Sequence, residues 1–134
     1  MKWDDIKDKP REIDKLIAEY IFNEVNIYCV SIGATYHNTF MTLEQAEQRQ
    51  NFLIKGGGER DVNIITPCLP KYSTDIAAAW EAVEKLDEYA QTMEKATNFY
   101  AWTIAYEGEI YRGEWSTAPM AICRAALLAK GVIE

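Results

Sequence analysis

Two apolar helices that bracket an aromatic hairpin constrain the fold of this chain more than any other feature. Segments 72–86 and 115–128 each begin with hydroxyl or acidic capping residues and continue with apolar residues at helical spacing. Between them, residues 99–106 and 109–115 have strand character and are joined at Glu107-Gly108. Because helices and strands must each bury an apolar face, this order predicts an α+β fold, a single-domain sandwich of helices packed on a mainly antiparallel β-sheet.

The first of these helices has its predicted N-cap at Ser73, with Asp75 complementing the helix dipole. Its predicted buried stripe consists of Ile76, Ala79, Trp80, Val83 and Leu86. Apolar spacing continues through Tyr89 and Met93, which predicts that this helix extends beyond Leu86. The last helix is capped by Ser116 or Thr117, accommodates Pro119 in its first turn, and ends at Gly131 with the apolar Val132 of a Schellman closure.

The first half of the chain shows weaker patterns. A helix is predicted from Pro10 to about Glu24, followed by strand alternation over 25–30. Thr42 and Gln45 form a capping box at the start of a short polar helix, and residues 62–65 read as a strand. We therefore expect one domain over 1–134, with an irregular insertion at about 30–70.

Composition excludes several classes of protein. The 134 residues are 49% apolar and 26% charged, which is typical of one globular domain, and they contain no apolar run long enough to cross a membrane. The start of the chain lacks the apolar core of a signal peptide, and three cysteines without a close pair suggest reduced thiols in a cytosolic protein. The net charge of −7 argues against nonspecific binding of DNA or RNA, because that binding needs cations to neutralise phosphates.

Segments of both bracketing helices and of the hairpin resemble the phage ABA-sandwich domain, a family of small phage and prophage proteins. The residues that carry the resemblance are Tyr72-Ser73-Thr74-Asp75-Ile76-Ala77-Ala78-Ala79-Trp80, Trp102, Thr117-Ala118-Pro119, Ile122-Cys123-Arg124-Ala125-Ala126-Leu127 and, near the N-terminus, Ile13-Asp14-Lys15-Leu16-Ile17-Ala18-Glu19. The resemblance implies a sheet between helical layers and a phage protein in the host cytoplasm. The family is mostly uncharacterised and supplies no catalytic residues.

The sequence contains no constellation that requires catalysis. His37 is the only histidine, so a multi-histidine zinc site cannot form, and no cysteine spacing replaces it. The run Gly56-Gly57-Gly58 lacks the Lys-Ser or Lys-Thr of a P-loop, and it reads either as a mobile linker or as a lid over a ligand. We therefore expect a non-enzymatic protein with no catalytic residues, no metal and no cofactor.

The aromatic residues of the hairpin allow two interpretations. A strand that places Ala101 and Thr103 on one side places Trp102 and Tyr106 on the other. If the aromatic side is covered by helices, it is the core; if the small side is covered, the aromatics form an outer platform that could stack on a base. In the second case Arg112 lies within reach and could pair with phosphate.

These observations lead to one functional hypothesis and one alternative. Phages use small proteins of this kind to blunt host defences, so we expect an anti-defence protein that sequesters a nucleotide-derived immune signal, such as a cyclic nucleotide or an ADP-ribose derivative, as a homo-oligomer. The candidate ligand contacts are Tyr36, His37, Arg60, Trp102, Tyr106 and Arg112. The alternative is a protein–protein inhibitor that binds a host defence protein directly through an acidic or aromatic surface.

Overall fold

The structure, a computed structural model, describes residues 1–36, 39–67 and 69–134. The chain forms two compact units, one built from Met1–Asn23 and Pro70–Glu134, the other from Glu24–Leu69. In chain order the elements are a 3-10 helix at Trp3–Asp5, α1 Pro10–Tyr20, β1 Cys29–Ile32, β2 Thr35–Tyr36, α2 Leu43–Asn51, a π-helix at Phe52–Gly56, β3 Val62–Ile65, α3 Ile76–Lys85, β4 Ala90–Lys95, β5 Tyr100–Tyr106, β6 Glu109–Trp115 and α4 Ala118–Ala129. The predicted α+β class is confirmed.

The sheet of the first unit is antiparallel, with strand order β4-β5-β6. Its β5–β6 register pairs Trp102 with Gly113 and Thr103 with Arg112, as the two-residue connection at Glu107-Gly108 requires. Both residues of that turn have positive φ, 51° and 80°. A primed turn of this kind matches the right-handed twist of the strands and so keeps the hairpin in register.

Helix α4 packs on β5 and β6 and also contacts α1 and α3. The face of the sheet that carries Trp102, Ile104 and Gly113, here called the helix face, is buried at these three residues. At Gly113 the helix backbone comes so close that an added Cβ would lie 2.5 Å from the carbonyl oxygen of Ala121 and would also overlap the amide nitrogen of Ala125. The fully buried apolar side chains of this unit include Ile13, Ile17, Ile104, Ile122 and Leu127.

The start of α3 differs from the sequence prediction. Asp75, not Ser73, is the N-cap, and its carboxylate accepts a hydrogen bond from the amide of Ala77 at 3.0 Å. Ser73 is buried, and its amide donates to the carboxylate of Asp14 on α1 at 2.8 Å. A buried carboxylate needs such donors, so tertiary contact with α1 draws Ser73 into the core and leaves the cap to the next acidic residue.

The buried face of α3 is made of small residues. Ala78, Ala79 and Ala82 are buried against the rest of the unit, whereas Ile76 and Trp80 are 51% and 48% exposed. The predicted stripe was therefore wrong in these two large members. Trp80 still contributes to packing, because its ring meets that of Trp102 edge to face at a centroid distance of 6.0 Å.

The predicted extension of α3 was also wrong, because residues 90–95 form strand β4. The helix ends at Lys85, and the side chain of Gln91 in β4 donates hydrogen bonds to the carbonyls of Leu86 and Val83 at 2.7 and 3.1 Å. Carbonyls at a helix C-terminus have no partner within the helix, and Gln91 supplies one. The hairpin of the sequence analysis thus becomes a three-stranded sheet.

The predicted end of α4 is confirmed. Gly131 has a φ of 72° and its amide bonds the carbonyl of Leu128 at 3.0 Å, while the amide of Val132 reaches the carbonyl of Leu127 at 3.0 Å. These two bonds are the Schellman closure, and the left-handed conformation that it needs favours glycine at this position.

The second unit has its own three-stranded antiparallel sheet, with order β2-β1-β3. The capping box of α2 is confirmed, with reciprocal bonds between Thr42 and Gln45. Gln50 near the end of α2 donates to the carbonyl of Val62 in β3 at 2.8 Å and so ties the helix to the sheet. The segment predicted as an irregular insertion therefore carries regular structure.

Burial in the core of the first unit changes the acidity of the Cys123 thiol. The thiol is fully buried on α4, and burial, followed by the nearby charge of Asp14, raises its pKa well above the usual value. The Cys123 thiol of the folded protein therefore keeps its proton above about pH 8.5, where the same thiol of the unfolded chain releases it. Its effect leaves the free energy of unfolding unchanged below that pH and lowers it as the pH rises further.

We expect this thiol to make the free energy of unfolding fall by up to about 1.4 kcal/mol per pH unit above pH 9, in addition to the contribution of other groups. Urea unfolding at pH 7, 9 and 10 would measure the slope, and Cys123→Ala should have a shallower one. Equal slopes in the two proteins would show that the thiol does not contribute.

Candidate functional site

Trp102 belongs to the core and not to an outer platform. The residue is 4% exposed, and its indole nitrogen donates to the side-chain oxygen of Gln91 at 2.9 Å. Of the two interpretations left open by the sequence, the covered aromatic side is therefore correct for Trp102. A side chain in this position is inaccessible for stacking on a base, because helices and Trp80 already pack against it.

Arg112 lies on the other face of the sheet, opposite Thr103. Its guanidinium donates to Glu94 at 2.6 Å and to Glu114 at 2.8 Å, and these two hydrogen bonds raise the pKa of the guanidinium. Glu94 and Glu114 both stand opposite Ala101, so the network joins β4 to β6 across β5. With two carboxylates already bound, Arg112 offers little charge to a phosphate.

Tyr106 ends β5 and is 39% exposed, stacked on Tyr89 at a centroid distance of 4.3 Å. The negative charge of Glu107 is the largest cause of a raised pKa for its phenol. Trp102 and Tyr106 share the helix face, but they are four residues apart along the strand, or about 13 Å. Trp102, Tyr106 and Arg112 therefore do not converge on one site.

The other three predicted contacts belong to the second unit. Arg60 is exposed, Tyr36 pairs with Ser31 through the backbone of β2, and the side chain of Tyr36 is not among those described. His37 lies outside the described residues. As ligand contacts these three stay predictions.

The first unit contains a groove of about 670 Å³ that is lined by none of Trp102, Tyr106 and Arg112. It lies where the N-terminal ends of α3 and α4 meet the end of the sheet. Its aromatic walls are Tyr100 and Trp115, both half-buried, and these two residues pair directly across β5 and β6. Its polar lining includes Thr74, Ser116 and Thr117, and its apolar lining includes Ile76, Pro119 and Met120.

The N-terminus of α4 gives this groove a favourable environment for an anion. The N-cap Thr117 makes no side-chain hydrogen bond to the first turn, so the amides of Ala118 and Met120 have no side-chain cap. Unpaired amides and the helix dipole together create a partial positive charge at such an end. At α3, by contrast, the carboxylate of Asp75 already occupies the helix terminus.

Neighbouring residues hold the aromatic walls in place. Lys95 of β4 stands opposite Tyr100, and its ammonium is 5.7 Å from the centre of the tyrosine ring. Trp115 meets Trp3 edge to face at 5.4 Å, and Arg124 of α4 donates to the carbonyl of Glu114 at 3.1 Å. A row of Lys95, Tyr100 and Trp115 therefore crosses the end of the sheet beside the groove.

Part of this groove could have been found from the sequence. A two-residue turn at Glu107-Gly108 requires Tyr100 to pair with Trp115, because each step away from the turn adds one residue to both strands. The capping residues before α3 and α4 mark the two helix ends. What the sequence lacks is a signal that these three features lie together.

Over residues 1–36, 39–67 and 69–134, no group of three or more His, Cys, Asp or Glu side chains is arranged to hold a metal ion. In the same ranges, no helix is long and apolar enough to cross a membrane.

Comparisons with known proteins connect this architecture to a family. The family model of the phage ABA sandwich domain matches residues 15–127. The chain belongs to this family. Both segments that line the groove, at the start of α3 and at the start of α4, lie within the matched region. The first unit shows the predicted packing of helices on an antiparallel sheet, but its helices cover one face of the sheet, not both faces as the resemblance implied.

A solved structure supports the same assignment. The chain is similar to a phage protein from Bacillus cereus ATCC 14579, determined by crystallography at 2.0 Å, with 29% sequence identity and a TM-score of 0.56 over 89% of each chain. No curated protein sequence matches the chain.

Proposed function

We propose that this phage protein is a non-enzymatic accessory protein that counters host defence by sequestering a small nucleotide-derived immune signal. It acts in the host cytoplasm as a homo-oligomer. The observation that supports this function best is the groove of the first unit, where two aromatic walls meet a helix N-terminus whose N-cap makes no side-chain bond. Aromatic surface and anion-binding amides are the two elements needed to recognise a nucleotide.

In this proposal, each part of the groove contacts a different part of the nucleotide. The rings of Tyr100 and Trp115 stack on the base, while the amides of Ala118 and Met120 and the hydroxyl of Thr117 hold phosphate oxygens. Lys95, held against the ring of Tyr100, adds positive charge in a protein of net charge −7. The groove's volume of about 670 Å³ lies within the range of small-molecule sites.

Thr117 gives a sharp test of this assignment. We expect Thr117→Asp to bind the ligand about tenfold to a hundredfold more weakly, because it places a carboxylate beside the phosphate. The fold should be unaffected or slightly stabilised, since aspartate is a good N-cap and complements the helix dipole. Thr117→Asn is the matched control, equal in size and capping ability but uncharged, and should bind more tightly than the aspartate variant.

Isothermal calorimetry with a panel of cyclic nucleotides and cyclised ADP-ribose products would measure both variants against the parent protein. The absence of binding heat for every member of the panel would contradict the proposed function. Binding that is equal in the aspartate and asparagine variants would leave the function in place but move the site away from the groove.

The alternative, an inhibitor that binds a host defence protein, is favoured by one observation. The face of the sheet opposite the helices is exposed, and it carries Ile110, which is 72% exposed, beside the charged Glu94–Arg112–Glu114 network. Native mass spectrometry of protein expressed in a host that carries the defence system separates the two functions: a bound small molecule supports sequestration, and a bound defence protein supports inhibition. The same spectra give the number of subunits.

A further inference from the structure

The second unit contains a pocket of about 310 Å³ lined by Val30, Thr39, Met41 and Arg49. The elements around it are firmly held. Val30 in β1 is 1% exposed, and Met41 exchanges two backbone hydrogen bonds with Tyr28, at 3.1 and 2.9 Å. Helix α2, which carries Arg49, is tied to β3 through Gln50. The sides of the pocket formed by β1, Met41 and α2 are therefore held in place without a ligand, which lowers the entropic cost of binding.

Arg49 is the cationic group of this pocket and is not neutralised. Among the described residues no carboxylate lies within ion-pairing distance of its guanidinium. The helical neighbours three and four residues away are Gln45, Ala46, Phe52 and Leu53, none of them acidic. In a chain with 21 acidic and 14 basic residues, an arginine whose pocket has no carboxylate among its described lining residues is available to an external anion.

The rest of the lining indicates what kind of anion fits. Val30 and Met41 are apolar, Thr39 carries a hydroxyl, and the ring of Phe52 lies 5.9 Å from the carbon of the Arg49 guanidinium. The cation–π contact orients the guanidinium while leaving its donors free. Such a lining suits a ligand with an apolar or flat body at one end and an oxyanion at the other.

We infer that this pocket binds a small organic oxyanion, a phosphate ester or a carboxylate, through the Arg49 guanidinium. The site is separate from the groove of the first unit and does not depend on the function proposed for that groove. It gives the second unit a binding role of its own.

The test is a titration of isotope-labelled full-length protein followed by amide NMR, with phenyl phosphate, benzoate and phenol as probes. We expect phenyl phosphate or benzoate to shift the amides of Val30, Thr39, Met41 and Arg49, and phenol to leave them unchanged. The tighter of the two anions identifies phosphate or carboxylate as the preferred group. Arg49→Gln should weaken the tighter probe about tenfold or more, as expected when a charged hydrogen bond is lost.

Arg60→Gln is the matched control, because Arg60 is exposed in the same unit and does not line the pocket. It should change the affinity by no more than about twofold, because salt and water screen an exposed charge that does not contact the ligand. Equal weakening by the two variants, equal shifts with phenol, or no shift of these amides at millimolar probe would overturn the inference. None of these outcomes bears on the groove, whose amides belong to the first unit.

Discussion

Replacing Gly113 with alanine is expected to destabilise the first unit by about 3 kcal/mol or more. An added Cβ would lie 2.5 Å from the carbonyl oxygen of Ala121 and would also overlap the amide nitrogen of Ala125. Both are backbone atoms of α4, so no side-chain rotation can relieve the overlap and the helix must move away from the sheet. Overpacking of a close-packed core costs 1–3 kcal/mol and more when the backbone must shift.

Urea unfolding followed by tryptophan fluorescence measures this effect selectively, because all four tryptophans lie in the first unit. The control is Gly108→Ala in the β5–β6 turn, where nothing lies within 4 Å of an added Cβ. The φ of 80° at Gly108 is unfavourable for alanine, so we expect this variant to lose about 1 kcal/mol in the free energy of unfolding. If Gly113→Ala were no more harmful than Gly108→Ala, the close approach of α4 to β6 would not limit stability.

Trp102→Ala is the second substitution for which we expect a large effect, a loss of about 3–5 kcal/mol. The side chain is 4% exposed, packs edge to face on Trp80, and donates to Gln91, which in turn holds the end of α3. Removing it opens a cavity and leaves the oxygen of Gln91 without its donor. Trp102→Phe keeps most of the packing and loses the hydrogen bond and part of the buried ring, so it should cost less, about 1–2 kcal/mol.

These two variants also separate a structural role from a binding role for Trp102. We expect Trp102→Phe to keep the ligand affinity of the parent protein, because this indole faces the helices and not the groove. Calorimetry on the folded phenylalanine variant, beside its urea unfolding curve, makes the comparison. A nearly unchanged stability of Trp102→Ala together with lost ligand binding would place Trp102 in the site instead.

The difference between the predicted and the observed site has a simple physical cause. Alternation along β5 separates Trp102 from Thr103, but it does not say which side the helices cover. In the structure the absence of a side chain at Gly113, directly opposite Trp102, lets α4 pack against that side. Arg112 is then left on the exposed face, where Glu94 and Glu114 bind it.

Strand β4 is a second case in which a local pattern predicted the wrong structure. Tyr89 and Met93 are four residues apart, which is helical spacing, so the local pattern favours a longer α3. The strand forms because β5, ten residues further along, offers a pairing edge and because Gln91 satisfies the carbonyls at the end of the helix. Both partners are near in the chain, but the spacing of apolar residues carries no signal of either interaction.

The sequence by itself determined the features that depend on neighbouring residues. These include the capping box at Thr42, the two-residue turn that pairs Tyr100 with Trp115, the closure of α4 at Gly131, and the α+β class. Each follows from local hydrogen bonding or from the conformational freedom of glycine. The family resemblance likewise rested on short segments of the sequence, at 13–19, 72–80 and 117–127.

Only the tertiary structure decided which face of the sheet is buried, which residue caps α3, and which side chains share a groove. Burial, ion pairing and pocket formation depend on residues far apart in the chain, as Asp14 with Ser73 and Glu94 with Arg112 show. A local pattern cannot specify such pairs, because the free energy of burying an apolar or charged group depends on what covers it.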